Sequence, residues 1–416
     1  MKLAASRTQQ RGQTLMLMTV AIFLMVLLLL AATRMGEHAR RQWYLQSVAD
    51  NAAHSAAVLL SRQLNLAAVL NRALIGNQIA MAQWLGLASW LSMMNAGLKV
   101  AAKVLALIPG LQGIAISAYR LLTKIEHFGD QVIRGLILFN VGVVKAISLT
   151  QTALQLAMTA ETPLSVGQVV DAHDSNLSWS LYHGGGVVPF PLLWWQFSTL
   201  RSTRKRKHSD DFRQLTLKSR DPFTRDRSYR WASVVFLRMQ KAGGSALQTP
   251  ANGRWNWNAL DSLSVHYRKY GFFGKWKEGL PIAGSARGVF QPYWASRWQP
   301  GSYGNAFDIN PGSSRIGFYS MRSYRIQQLP FSYWSLGRGS RYGANAVVVA
   351  IKDSRSGQIS HARAEVIFSR PLSVFPRADN AQEKDNLFNA LWEPQLVPLT
   401  AADKAAIVTR EFVIDG

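Results

Sequence analysis

The 416-residue sequence contains no cysteine. Disulfide bonds, thiolate metal sites and cysteine nucleophiles are therefore excluded as sources of stability or chemistry. A chain of this length can bury a sizeable core in two or three domains. Because covalent cross-links are absent, packing or assembly has to hold the protein together.

Acidic residues are scarce, since 23 Asp and Glu stand against 47 Lys and Arg, giving a net charge of +24. Such a balance favours anionic partners such as lipid headgroups or acidic polymers. The excess is concentrated in residues 201–230, within a predicted irregular basic connector over residues 164–230. Two interpretations stay open: a solvated connector, or a possible anion-binding strip. The candidate residues of that strip are Arg204, Lys205, Arg206 and Lys207.

Motifs for catalysis are also lacking. His183 opens a glycine run that resembles an esterase oxyanion loop, but no G-x-S-x-G nucleophile motif follows it. The glycines of residues 337–343 have no P-loop lysine beside them, and the eight histidines show no H-E-x-x-H spacing. We therefore predict a protein that is not an enzyme and that has no catalytic residue, cofactor or metal site.

Residues 15–33 form the longest uninterrupted apolar run, and no charge lies between Arg11 and Arg34. About twenty apolar residues in a helix span the hydrocarbon core of a bilayer. We predict a basic cytoplasmic leader over residues 1–12 and a single transmembrane anchor over residues 13–34, with the bulk of the chain periplasmic or surface-directed. A cleaved signal peptide is the alternative, but its apolar region is usually shorter. We do not expect a protein that is anchored in this way to bind nucleic acid.

Residues 35–163 are rich in Ala, Leu, Gln and Met and predict a helical region. Small residues recur on one face at three- and four-residue spacing, including Ala49, Ala52 and Ala53. They allow close helix–helix approach, either between subunits or inside one chain. Pro109 predicts a buried apolar hairpin, with membrane re-entry as the alternative, and Pro163 predicts the end of the helical half.

Glycine and aromatic residues become frequent after residue 164, and long helical periodicity is lost. The fold class predicted is α+β: an N-terminal transmembrane helix that continues into a helical stalk-like region, then a β-rich C-terminal head over residues 231–378. Predicted strands include residues 234–239, 262–270, 315–319, 347–352 and 363–368. Residues 379–416 are predicted to be a helical tail, with helices at 381–392 and 400–409.

Two segments carry a family resemblance. Residues 45–53 read LQSVADNAA, which is similar to the Q-x-x-AD-x-AA signature that follows the anchor in TadG-like proteins. Residues 71–83 read NRALIGNQIAMAQ and resemble a second stretch of the same proteins. The chain thus resembles the TadG/TadE-like proteins of tight-adherence (Flp) pilus systems.

The resemblance implies a membrane-anchored, pseudopilin-like protein of the bacterial inner membrane that serves pilus assembly or secretion. Its implied partners are other pilus-assembly or pilin-like proteins and further copies of itself. The resemblance also implies residues for subunit packing: Ala49, Asp50, Ala52, Ala53, Asn71, Arg72, Asn77 and Gln83. The alternative function is a surface adhesin or polyanion-binding module that uses the basic strip and the aromatic head, with an anionic surface polymer as its partner.

Gly12 and Gln13 resemble the end of a prepilin leader and the first mature residue. Cleaved pilins and pseudopilins carry a glutamate five residues into the mature helix, where this chain has Leu17. The resemblance therefore implies a possible cleavage site, and the departure at Leu17 favours an uncleaved anchor.

Overall fold

The structure is a computed structural model. It describes residues 9–108, 110, 112–185, 188–234, 236–248, 255–268, 274–290, 302–337, 343–371, 373–374, 376, 379, 381 and 383–414. Most of the predicted leader, Pro109 and the last glycine of the run after His183 lie outside the described residues.

Two long antiparallel helices form the N-terminal half. Helix α1 comprises Gln9–Leu105 and is 97 residues long, about 145 Å at 1.5 Å per residue. Helix α2 comprises Gln112–His173 and returns along it. Residues of high helix propensity dominate both helices. The apolar N-terminal segment and the polar helix after it are therefore one continuous element.

Helix α2 does not end at Pro163, so the predicted helix end is wrong. The Thr162 hydroxyl donates to the Met158 carbonyl at 2.9 Å, one turn back in the helix. Beyond the proline, Val166 and Val170 are fully buried in the core of the protein. The burial of this last apolar stretch outweighs the hydrogen bond that a proline removes.

In the C-terminal part, the residues that the structure describes form three sheets. The first is antiparallel with the order β1-β10-β11-β12, the second pairs β2 with β9, and the third has the order β3-β4-β5-β6-β8. The strands are β1 Leu177–His183, β2 Ser198–Ser202, β3 Tyr229–Val234, β4 Leu237–Gln248, β5 Asn256–Arg268, β6 Trp276–Gly288, β7 Ser302–Asn305, β8 Arg322–Ser323, β9 Ser332–Leu336, β10 Ala346–Asp353, β11 Ile359–Phe368 and β12 Trp392–Val397. The described residues of this part also form six shorter helices: α3 Trp194–Phe197, α4 Arg206–Lys218, α5 Pro222–Arg225, α6 Ala306–Ile309, α7 Pro311–Tyr319 and, after the last strand, α8 Ala401–Ile414. The mixed α+β class with a β-rich C-terminal region is confirmed.

The sheets lie side by side along α1. Buried residues between 45 and 67 of α1 form one core with the first sheet and with the end of α2. Buried residues between 74 and 88 form a second core with α2, α4 and the third sheet. The head is therefore built around the helix rather than joined to its end.

One strand predicted in the head is a helix. Residues 315–319 are the end of helix α7 rather than a strand, and Pro311 occupies the first turn of that helix. Helix α7 lies so close to β6 that a Cβ at Gly284 would be 1.8 Å from the Ser313 carbonyl oxygen. Residues 315–319, whose apolar residues alternate as in a strand, are thus part of a helix that packs on the third sheet.

The predicted helix at residues 381–392 is also absent from the described residues of that segment. Instead, the Asn386 side chain accepts hydrogen bonds from the backbone of Phe388 and Asn389, both at 3.0 Å. Such local side-chain bonds compete with a helix. Strand β12 then begins at Trp392, whose ring packs in the first core. The second predicted helix of the tail, at residues 400–409, is present as α8.

Candidate membrane anchor and the helix that continues it

The apolar segment at the start of α1 contacts nothing else in the described structure. Its side chains are exposed, for example Leu15 at 73%, Met25 at 72% and Leu28 at 71%. Both α1 and α2 contain a stretch long and apolar enough to cross a membrane, but that of α2 is partly buried whereas that of α1 is not buried at all. The exposed run in α1 is therefore the candidate anchor.

Arg41 links α1 to the head directly after this segment. Its Nε donates to an Asp353 oxygen at 2.8 Å, and its Nη2 donates to an Asp174 oxygen at 3.1 Å. The hydrogen bond from Arg41 holds the pKa of Asp353 well below its usual range. The pKa of Asp174 is lowered to about 2, first by hydrogen bonds from Asn176 and then by Arg41. The end of α2 and the β10–β11 turn are thus joined to α1 at the base of the head.

The small-residue face of α1 is buried inside the chain itself. Ala49, Ala52 and Ala53 are 0% exposed and belong to a core that includes Val347 and Val349 of β10. Of the two interpretations of this face, packing within one chain is the one observed. These alanines cannot contact a second subunit, because the first sheet already covers them. Asp50 is half-buried and accepts from Gln46 of the same helix at 2.9 Å.

Asn71 is fully buried where α1, α2 and β9 meet. Its Nδ2 donates to the carbonyls of Trp334 at 2.8 Å and Leu387 at 2.7 Å. Its Oδ1 accepts from the Trp334 amide at 3.0 Å and from the Gln151 side chain at 3.1 Å. All donors and acceptors of the amide are used, so this residue joins four segments of one chain rather than two subunits.

The other predicted packing residues of this stretch have different positions. Arg72 is exposed, and the Asn77 amide donates to the Ala73 carbonyl one turn earlier at 2.8 Å. Gln83 is exposed and donates to Asp221 at 3.1 Å. These side chains are therefore not brought together as one patch.

Two buried glutamines on α1 have roles that the sequence analysis missed. Gln63 accepts from the Trp194 indole at 2.9 Å, and Gln78 accepts from the Trp257 indole at 3.0 Å. Both glutamines occur on the apolar face of the helix, where a polar residue needs a buried partner. The position of both glutamines on the apolar face, together with the many tryptophans in the second half of the sequence, was the pattern that could have predicted these contacts.

The basic strip belongs to a folded segment, so its interpretation as a solvated connector is wrong. Arg204, Lys205, Arg206 and Lys207 are exposed at the start of helix α4. Farther along, Phe212 is fully buried and contacts the rings of Trp255 and Tyr333. The aromatic contacts fix α4 against the head and leave the four cations on its surface.

Arg227, at the end of the same basic region, is buried in an ion pair. It contacts Asp261 at 2.9 Å, and Lys241 contacts the same carboxylate at 2.6 Å. Burial lowers the pKa of Lys241, whereas the charge of Asp261 favours its protonated form. The two buried cations depend on the charge of Asp261. Removing this carboxylate would leave two buried positive charges without an opposite charge, which would destabilise the head.

His183 is a buried hydrogen-bond acceptor. Its Nε2 accepts from the backbone amides of Leu193 at 3.2 Å and Trp194 at 3.3 Å. Burial lowers its pKa to about 4, so the ring is neutral at pH 7. Among the described residues, no group of three His, Asp or Glu side chains is placed to hold a metal ion.

Comparison with known proteins bears on the N-terminal segment. The Tad family model, which describes Flp pilus-assembly TadE/G-like proteins, matches residues 12–59. This range covers the exposed apolar run, Arg41 and the first buried alanines. No curated protein and no solved structure matches the chain. Residues 12–59 of this chain therefore resemble the TadE/G-like domain of Flp pilus-assembly proteins.

Proposed function

We propose that the protein is a membrane-anchored, non-enzymatic component of Flp/Tad pilus assembly, with a pseudopilin-like architecture. The observation that carries the proposal is the exposed apolar run of residues 15–33 inside the TadE/G-like domain. Burying so many exposed apolar side chains in a bilayer is strongly favourable. The anchor inserts in the inner membrane, and the head lies on the periplasmic side or is directed to the surface.

The continuity of α1 fixes the position of the head relative to the membrane anchor. Because α1 is continuous from Gln9 to Leu105, no hinge within it separates the membrane segment from the part buried in the head. Arg41, seven residues beyond Arg34, already pairs with Asp353 of the head. The head therefore stands directly on the membrane surface, where other assembly proteins can reach it.

We propose further that the leader is retained. Gly12 and Gln13 lie inside α1, and Leu17 occupies the position where cleaved pilins carry a glutamate. An apolar residue there suits a permanent lipid-embedded anchor. N-terminal sequencing of the protein from membranes and from sheared surface filaments tests this. A chain that begins at or near Met1 and stays in membranes supports the proposal, whereas one that begins at Gln13 in filaments contradicts it.

Membrane fractionation tests the anchor itself. A variant lacking residues 1–34 keeps Arg41 and the entire head core, and we expect it in the soluble fraction after cell lysis. The matched control replaces residues 15–33 with an unrelated apolar helix of equal length, which should restore membrane binding. A truncated protein that remained with carbonate-washed membranes would overturn the anchor.

A second candidate function is polyanion binding at the basic strip. The observation that favours it is the exposure of four consecutive cations, Arg204 to Lys207, on an ordered helix start. Such binding weakens steeply as salt rises. Replacing all four with Gln should lower the salt concentration at which the protein elutes from an anionic polymer column and leave membrane insertion unchanged. An unchanged elution position would eliminate this candidate.

A further inference from the structure

The outward face of α2 carries a regular apolar stripe, which we call the α2 seam. Its positions follow alternating spacings of four and three residues, and all of them are exposed. They are Leu121, Ile125, Phe128, Val132, Gly135, Phe139, Gly142, Ala146, Leu149, Ala153, Leu156 and Ala160. The opposite face of the helix, with Ile133, Ile137 and Val144, is buried against the rest of the chain.

The spacing of the seam is that of the a and d positions of a heptad repeat, which mark the contact line of a coiled coil. A helix on the surface of a protein normally presents polar residues on its outer face. Here Phe128, Phe139 and Leu156 are 69%, 68% and 71% exposed. A continuous exposed apolar surface of this kind indicates an interaction site.

The membrane that holds the anchor cannot cover the seam. Alongside this part of α2, α1 is buried against the head, as Leu74, Met81 and Leu85 show. Polar side chains of α2 such as Asn140 and Gln151 are also buried in this region. A bilayer around α2 would have to include the charged head, which is energetically prohibitive.

We infer that the α2 seam is a self-association surface, on which α2 of a second copy packs parallel and in register. The inference rests on the membrane anchoring proposed above, because copies anchored in one membrane hold their α1 helices, and hence their α2 helices, in the same direction. In that arrangement Phe139 meets Phe139 of the partner between layers made by Gly135 and Gly142. The glycines leave space for the two rings.

Charge and area agree with this pairing. In a parallel heptad pair, the flanking Lys124 lies opposite Gly129 of the other copy and Lys145 lies opposite Thr150, so neither lysine meets a like charge. At about 100 Å² per large side chain, two seams would bury on the order of 1,400 Å². A stable interface needs about 1,200–2,000 Å².

Single-cysteine cross-linking in membranes tests the inference, because the 416-residue sequence contains no cysteine. The variants Ala146→Cys and Ala153→Cys place a thiol on the seam, and Arg134→Cys places one on an exposed position off the seam. In parallel register, the paired seam thiols lie within disulfide range. Mild oxidation should therefore give dimers with both seam variants and only monomer with Arg134→Cys.

Introducing Phe139→Lys into the Ala146→Cys variant should reduce the dimer fraction at least fivefold while the protein stays folded by circular dichroism. Monomeric seam variants in the membrane fraction would overturn the inference and leave the anchor intact, whereas a soluble chain would contradict the anchor. If the seam thiols neither cross-link nor react with maleimide, a different molecule covers the seam, and self-association is wrong.

Discussion

The side chain of Asn71 forms a reciprocal pair of hydrogen bonds with the backbone of Trp334, donating to its carbonyl at 2.8 Å and accepting from its amide at 3.0 Å. The side-chain amide of Asn71 thus makes the same pair of hydrogen bonds to the edge of β9 that the backbone of a neighbouring strand would make. Both residues are buried, at 0% and 1% exposure. This contact fixes the distance between α1 and the second sheet.

Replacing Asn71 with Ala should destabilise the protein strongly. The Trp334 amide and the carbonyls of Trp334 and Leu387 would lose a partner in a buried site, and each unsatisfied group costs about 1–3 kcal/mol. We expect a loss of on the order of 3 kcal/mol in the free energy of unfolding, measured by denaturant titration in detergent. Asn77→Ala is the control, because that amide bonds only its own helix, and its cost should stay below about 1 kcal/mol. Equal losses in both variants would contradict the role assigned to Asn71.

Acid should weaken the junction between α1 and the base of the head. The pKa values of Asp353 and Asp174 are lowered in the folded state, so their ion pairs with Arg41 stabilise the fold above the unfolded pKa, near 3.8. This stabilisation is lost as the pH falls below about 4 toward the folded pKa values. Thermal unfolding between pH 5 and pH 2 should show the decline, and in Arg41→Gln the decline should be shallower. Parallel curves for the two proteins would show that Arg41 does not couple to these carboxylates.

His183 should make stability depend on pH in a higher range. Its folded pKa of about 4 lies below the ordinary value of 6.5, so the unfolded chain binds the proton more readily. Stability present above pH 6.5 should therefore fall between pH 6.5 and pH 4, by as much as about 3 kcal/mol. The variant His183→Gln keeps an acceptor for the Leu193 amide but cannot titrate, so its stability should fall less over this range than that of the parent protein. An unchanged pH profile in the variant would mean that other groups cause the dependence.

A larger side chain at Ala52 should disturb the core of a single copy. Ala52 is 0% exposed in the core formed with the first sheet, and overpacking a buried site costs about 1–3 kcal/mol. We expect Ala52→Leu to lower the melting temperature of the protein even at dilutions where copies do not associate. His54→Leu, on the exposed side of the same helix, should have little effect. A loss for Ala52→Leu that appeared only at high concentration would instead indicate a contact between subunits.

Local patterns in the sequence were sufficient for the long elements. The apolar run of residues 15–33 and the helical spacing after it predict one helix, and α1 is that helix. Strands β10 and β11 likewise follow from β-branched residues on either side of a turn that contains Gly357. In each case the information lies within a few neighbouring residues.

The errors arise where distant contacts decide the local structure. Residues 315–319 alternate like a strand, but Gly284 on another strand leaves room for a helix there. The alanine face of α1 predicts close packing without indicating what packs on it, and the partner is a sheet about 300 residues later in the chain. Nothing near Asn71 in the sequence identifies Trp334 as its partner.

The position of α1 inside the head has a consequence for how the protein is made. The first sheet closes on residues 45–67 of the helix, and its last strand, β12, binds the Asn65 side chain through the Trp392 backbone. The N-terminal helix and a strand made more than 300 residues later must therefore both be present before this core is complete. Contacts of such long sequence separation form slowly. This core can therefore become native only after the chain has been synthesised as far as β12. Combined with the periplasmic location proposed for the head, this order of events calls for a transport route that carries unfolded chains.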